Sequence, residues 1–181
     1  MDFVKQPKIY RLNREVIVTE KIDGTNAAVA VDEDGTVEAW SKNRKLSPGT
    51  SDNFGFRKWA EDNREGLTQL GPGIHRGEWW GCGIQRGYGQ TGRHFSLFNV
   101  GRWSGATPPP LCCSVVPILG VLDSLSDRGG LNAILEDLRR KGSWAALLYP
   151  KPEGVVLYHV PSGNSYKVTL EGDESPKGNQ R

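Results

Sequence analysis

The sequence predicts an α+β domain, with largely antiparallel sheets flanked by helices. Three observations carry that expectation. Short β-branched runs are punctuated by turn residues, one stretch near residues 130–141 has clear helical spacing, and two strand-like runs close the chain around Pro161-Ser162-Gly163-Asn164. At 181 residues the chain can bury one real core but has little room for a second domain. The domain is expected over residues 1–171, followed by a polar tail at 172–181 that frays.

Val16 to Thr19, Ala27 to Val31 and Thr36 to Ser41 read as a meander, with Asp32-Glu33-Asp34-Gly35 supplying hairpin chemistry. Ser51-Asp52-Asn53 offers a cap to a helix over Phe54 to Asn63, on which Phe56, Trp59 and Ala60 form an inward stripe. Gly71-Pro72-Gly73 breaks the chain before a tryptophan-rich block. Thr107-Pro108-Pro109-Pro110 marks a surface connector ahead of one apolar strand, Ser114 to Leu122. Leu131, Ile134, Leu135 and Leu138 give the second helix its apolar face, with Asp127 near its start and Gly142 as its stop. Val155 to Val160 and Ser165 to Leu170 then form a hairpin. A five-residue loop through Ser165 brings Glu153 and Lys167 to one face, and a four-residue loop separates them; the five-residue loop is expected.

Composition narrows the function classes. Charged residues make up 24% of the chain but the net charge is only +2, which excludes a polybasic field and confines nucleic-acid binding to a local patch. No apolar run approaches membrane-spanning length and the N-terminus lacks a signal-peptide core, so a soluble, cytoplasmic protein without a membrane partner is expected. Three cysteines, with Cys112 and Cys113 adjacent, suit neither a disulfide framework nor zinc spacing and read as buried or half-buried thiols. His75, His94 and His159 are dispersed, form no metal signature, and read as structural or surface residues.

The chemistry concentrates at Thr19-Glu20-Lys21-Ile22-Asp23-Gly24-Thr25-Asn26, where a lysine at a strand end precedes a glycine turn. Lys21 reads two ways: a solvated strand-end lysine, or a covalent nucleophile. A free lysine amine is protonated at neutral pH, with a pKa of about 10.4, so attack on phosphorus needs neighbours that favour the neutral form. Further blocks follow in order: Ser41-Lys42-Asn43-Arg44, His75-Arg76-Gly77-Glu78-Trp79-Trp80-Gly81, Phe95-Ser96-Leu97-Phe98-Asn99-Val100, Pro152-Glu153-Gly154-Val155-Val156 and Tyr166-Lys167-Val168.

Together these blocks, spanning about residues 15 to 170, resemble the ATP-dependent RNA ligases of the phage nick-sealing type, members of the covalent lysyl-adenylate nucleotidyltransferases. The resemblance implies an adenylation domain with its nucleotide pocket between sheets. It implies that Lys21 becomes adenylated by ATP, that AMP passes to a 5′-phosphate, and that a 3′-hydroxyl then seals the RNA or RNA/DNA end. It further implies nucleotide contacts from Glu20, Ile22, Asn26, Lys42, Arg44, Glu78, Phe98, Glu153 and Lys167. Within that set, Glu78 reads the ribose hydroxyls, Phe98 stacks on adenine and Glu20 helps read the adenine edge. Glu153 helps hold Mg²⁺ or Mn²⁺, since hard cations prefer oxygen. The family's last motif is commonly Lys-x-Lys, whereas Lys167 is followed by Val168 and Thr169. No C-terminal accessory domain of the kind many relatives use is recognisable, so a separate domain or protein is an expected partner, and a phage or bacterial type is implied.

On the residues alone, Glu78 also reads as a strand-end surface glutamate, Glu153 as strand-start charge, and Phe98 as core among Phe95, Leu97 and Val100. The glycine-rich run Gly83 to Arg93 carries Arg86, Tyr88 and Arg93, which suit phosphate binding and base stacking; a mobile surface loop is the competing reading. Two other functions share these features: a GTP-dependent capping-type guanylyltransferase and a noncatalytic nucleic-acid-end binder.

Overall fold

A computed structural model describes residues 14–147 and 149–171; the expected tail at 172–181 lies outside them. The described residues form nine strands: β1 (Val16–Lys21), β2 (Thr25–Val31), β3 (Val37–Ser41), β4 (Gly73–Gly81), β5 (Arg93–Leu97), β6 (Ser114–Val115), β7 (Ile118–Leu122), β8 (Gly154–His159) and β9 (Asn164–Thr169). Three helices accompany them: α1 (Phe56–Asp62), α2 (Arg64–Thr68) and α3 (Arg128–Lys141). The strands make two sheets, one in the order β7-β1-β8-β9 and one in the order β3-β2-β4-β5-β6. Every pairing is antiparallel except the short β5–β6 contact. The α+β expectation holds.

The first sheet owes its place to α3. Val16 and Val18 of β1 and Val155 and Leu157 of β8 point to one face, where Leu135 and Leu138 cover them. Asp127 caps α3 by accepting from the Gly130 N–H at 2.9 Å, and Gly142 ends it, as the sequence indicated. In the second sheet, Trp79 and Phe95 pack against Phe56 and Trp59 of α1, with ring centroids 5.0 to 5.6 Å apart.

Four expectations need correction. The first three strands are not one meander: β2 pairs with β3 in the second sheet, whereas β1 pairs with β7 and β8 in the first. The first helix is not capped by Ser51-Asp52-Asn53; its N-cap is Gly55, with no side-chain cap. Asn53 and Phe54 both have positive φ. The Asn53 side chain accepts from the Thr25 hydroxyl, and the Phe54 carbonyl accepts from Trp79 Nε1 and Arg93 Nη1. A tertiary partner thus takes the Asn53 side chain, while the Asn53 main-chain carbonyl still accepts from Phe56 N at 3.2 Å.

The apolar run 114–122 is two strands in different sheets rather than one. Pro117 has no N–H to extend a ladder, and its carbonyl accepts from Glu20 N at 2.9 Å while Val116 N bonds Leu97 O in the other sheet. This crossing stitches the sheets together beside the cleft. Finally, the last hairpin has the four-residue loop 160–163, with His159 opposite Asn164 and Val156 opposite Lys167. Strict alternation would then separate Glu153 from Lys167. Glu153 nevertheless forms its ion pair with Lys21, which lies on the cleft face.

A side chain at residue 154 would overlap the Val168 carbonyl and the Thr169 Cα. Gly154→Ala is therefore expected to destabilise the fold by on the order of 3 kcal/mol, measured by urea denaturation. A change below about 0.5 kcal/mol would show that the strands separate freely at this rung.

Candidate active site

The two sheets face each other across a cleft of about 930 Å³. Along β1 the pleat alternates, so Ile17, Thr19 and Lys21 enter the cleft, with Glu15 continuing the row. At about 3.3 Å per residue this row runs roughly 20 Å. Val156 and Tyr158 of β8 continue the same wall, and the facing wall carries Ile74, Arg76 and Glu78 of β4 with Phe98 just beyond β5. A sandwich of two pleated walls makes a slot suited to a flat, polar-edged ligand.

Lys21 ends β1 opposite Gly154, and its Nζ forms an ion pair with Glu153 Oε1. The other Glu153 oxygen, Oε2, is buried without a hydrogen-bond partner. That orphaned acceptor suits a hard cation. Among the described residues no group of three or more His, Cys, Asp or Glu could hold a metal. Glu153 Oε2 could thus supply one oxygen ligand to a Mg²⁺-like ion that keeps most of its waters.

Glu78 stands on β4 opposite Asn26, whose Nδ2 donates to Glu78 Oε2 at 3.1 Å. Burial pushes the Glu78 carboxyl up to about 7; Lys21 pulls against that shift and Glu153 reinforces it. The cleft thus sets two carboxylates about one lysine. Gly24, in the turn after Lys21, lies so close to β4 that a Cβ there would fall 2.5 Å from the Trp79 carbonyl oxygen and 3.0 Å from Glu78 Cγ.

Glu20 does not serve the cleft with its side chain. It is 1% exposed, and its carboxylate accepts from Ser143 Oγ at 2.6 Å, Trp144 N at 2.7 Å and Ala145 N at 2.9 Å. Burial raises its pKa and these three donors pull it back. Both carboxylate oxygens are engaged by the loop after α3, while the residue itself still borders the cleft. Ile22 is buried with Trp80, Tyr88, Val116 and Ala146, and also borders the cleft. Phe98 is 40% exposed and projects into the cleft, so it belongs to the cavity rather than to the core.

Lys167 is exposed on β9, in register with Val156 and hence with Thr19, on the cleft face of the sheet. Lys42 and Arg44 are exposed after β3 and do not line the cleft; Ser41 pairs with Ala27, which leaves their loop beside Asn26. The glycine-rich run departs most from expectation. Tyr88 is 1% exposed, and its hydroxyl accepts from Asp23 N at 2.8 Å, so it is no base-stacking surface. Arg86 donates to Asp23 Oδ2 and to Lys151 O; Arg93 donates to Cys82 O and Phe54 O. These arginines hold protein to protein.

The RNA ligase family model matches residues 14–169. The chain belongs to the RNA ligase family. Solved structures of Naegleria gruberi RNA ligase variants share its fold. One with ATP and Mn has a TM-score of 0.62 at 22% identity, over 87% of this chain and 50% of that chain. One with AMP and Mn has a TM-score of 0.61 at 22% identity, with the same coverages. The chain spans about half the length of these ligases. No curated protein matches the sequence significantly. No helix among the described residues of this RNA ligase family member is long and apolar enough to cross a membrane.

Sequence reading missed Val156, which faces the cleft from the wall opposite Phe98, and Arg76, exposed beside Phe98. Both sat inside recognised blocks, and strand alternation from Lys21 and Glu78 was the signal that could have found them. It also missed the 143–145 loop, joined to Glu20 across more than a hundred residues.

The buried Glu78 gives a pH test. Its folded pKa near 7 exceeds the ordinary 4.5, so between those values the folded state binds more protons than the unfolded, and stability falls as pH rises. The full effect is on the order of 3 kcal/mol. Glu78→Gln should flatten the decline between pH 5 and 8 by up to that amount, as read by urea denaturation at both pH values. Parallel profiles for the two proteins would show that Glu78 ionises normally.

Proposed function

We propose that this chain is an ATP-dependent RNA ligase that forms lysyl-AMP at Lys21, transfers AMP to a 5′-phosphate and seals that end to a 3′-hydroxyl. The observation that carries the proposal is the Lys21–Glu153 pair within a two-sheet cleft, with Glu78 buried on the facing strand. The Naegleria gruberi ligase complexes with ATP and Mn, and with AMP and Mn, support the choice of nucleotide and metal.

In the first step the Lys21 amine, having lost a proton to solvent and its contact with Glu153, attacks the α-phosphorus of ATP. A P–N bond forms as the bond to the bridging oxygen breaks, and pyrophosphate leaves with the electron pair. Phe98 and Val156 bracket the base from opposite walls. Glu78 accepts from the two ribose hydroxyls and, when protonated, donates to one. Ile22 and Asn26 line the slot beside the nucleophile, and Lys167 offers a cation on the cleft face. Lys42 and Arg44 meet the outer phosphates or the incoming RNA end. A divalent cation, Mg²⁺ or Mn²⁺, would be held by Glu153 and supplies positive charge against the phosphate oxygens when bound.

In the second step an oxygen of the RNA 5′-phosphate displaces Lys21 from AMP. In the third a 3′-hydroxyl attacks the activated 5′-phosphate and AMP leaves. Grip on the RNA beyond the cleft is assigned to a further domain or polypeptide, and the cytoplasm, where ATP and RNA ends meet, is the expected location.

Intact mass before and after incubation with ATP and Mg²⁺ or Mn²⁺, with GTP in parallel, tests the proposal. One AMP should be gained and map to Lys21, and Lys21→Ala should gain none while melting as a folded protein. Absence of any adduct from wild type, with no AMP already attached, rejects adenylation; a gain from GTP alone identifies a guanylyltransferase. Persistence of the adduct in Lys21→Ala removes Lys21 as the nucleophile.

A further inference from the structure

Arg86 occupies a point where two catalytic segments would otherwise drift apart. The β1–β8 ladder ends at the Lys21–Gly154 rung. Beyond it the chain runs through Asp23 on one side and back through Lys151 on the other, each two residues from a member of the Lys21–Glu153 pair. Arg86 spans that gap, donating from Nε to Asp23 Oδ2 at 2.9 Å and from Nη1 to Lys151 O at 3.2 Å. We propose that Arg86 is a positioning residue for adenylation, clasping the Lys21 turn to the Glu153 segment so that nucleophile and carboxylate are set before ATP arrives. This rests on the adenylation chemistry proposed above.

The clasp is itself braced. Tyr149 donates its hydroxyl to the Arg86 carbonyl at 3.4 Å, and the Tyr88 ring lies 4.8 Å from Tyr149 and 5.3 Å from Trp80. The Tyr88 hydroxyl accepts from the Asp23 main-chain N–H, so one short segment binds Asp23 through both backbone and side chain. A guanidinium is suited to this work because its rigid planar fork meets two acceptors at once, whereas an ammonium is a compact point charge on a flexible stem. In-line attack is sensitive to such placement, since about 1 Å of misplacement can cost roughly 100-fold in rate.

The test compares wild type, Arg86→Ala and Arg86→Lys. Arg86→Ala should slow single-turnover lysyl-AMP formation at saturating ATP by about 100-fold, while the ATP dissociation constant stays within about threefold. Amide hydrogen exchange in ATP-free protein should quicken in peptides covering 20–26 and 149–154. Arg86→Lys should recover part of the rate, because it retains charge toward Asp23. An unchanged adenylation rate overturns the proposal, as does a rate loss matched by lost ATP affinity, or a defect confined to AMP transfer onto a 5′-phosphate. Should wild type form no lysyl-AMP, the adenylation reading fails, and the exchange measurement still decides the clasp: unchanged exchange at both peptides shows that Arg86 holds neither.

Discussion

The two-residue period of β1 is the constraint on which the site depends. Glu20 and Lys21 are neighbours in sequence and point to opposite faces of one strand. The carboxylate goes into the wall, where three donors from the 143–145 loop meet it; the amine goes into the cleft, where it meets Glu153. A slip of one residue would exchange the two, burying an ammonium among hydrogen-bond donors and leaving the carboxylate in the cleft. Packing sets the register of most strands. Here charge sets it as well, because a buried group of the wrong sign costs more than a misplaced methyl.

The electrostatics of the cleft follow from the same arrangement. Lys21 lies between a carboxylate on its own sheet and one on the sheet opposite, and only the first is in direct contact with it. Glu78, held by Asn26 and largely removed from water, sits near the midpoint of its titration at neutral pH. The site can therefore change its net charge by one at little cost. That is useful where phosphate charge must enter and leave, since a group poised near ambient pH can take up or release a proton as the neighbouring charge changes.

Much of this was legible in the sequence, because much of it is local. Alternating β-branched residues gave the strands, Asp127 and Gly142 gave the ends of α3, and the order of short blocks gave the family. The errors share a physical cause. The chain at 114–122 is mostly apolar and carries no charge, so little in its hydropathy signals a change of sheet; Pro117 marks the break. Tyr88 sits among glycines, which reads as an exposed loop, yet positive φ at Gln85 and Tyr88 folds the run inward onto Trp80 and Tyr149. Arg86 finds Asp23 at a separation of 63 residues. Sequence lists the available donors and acceptors, but long-range pairing among them is fixed only when the sheets close.

Gly24 has a consequence of its own. Its role comes not from an unusual backbone angle but from the room a hydrogen leaves beneath the Trp79 carbonyl and beside Glu78 Cγ. That makes the residue a gauge block between the two halves of the cleft. Any larger group there would wedge β4 outward and carry the Glu78 carboxylate away from Lys21. The spacing of the two chemical partners is thus machined by the smallest side chain in the site, and the tolerance of the whole catalytic gap is the difference between a hydrogen atom and a methyl group.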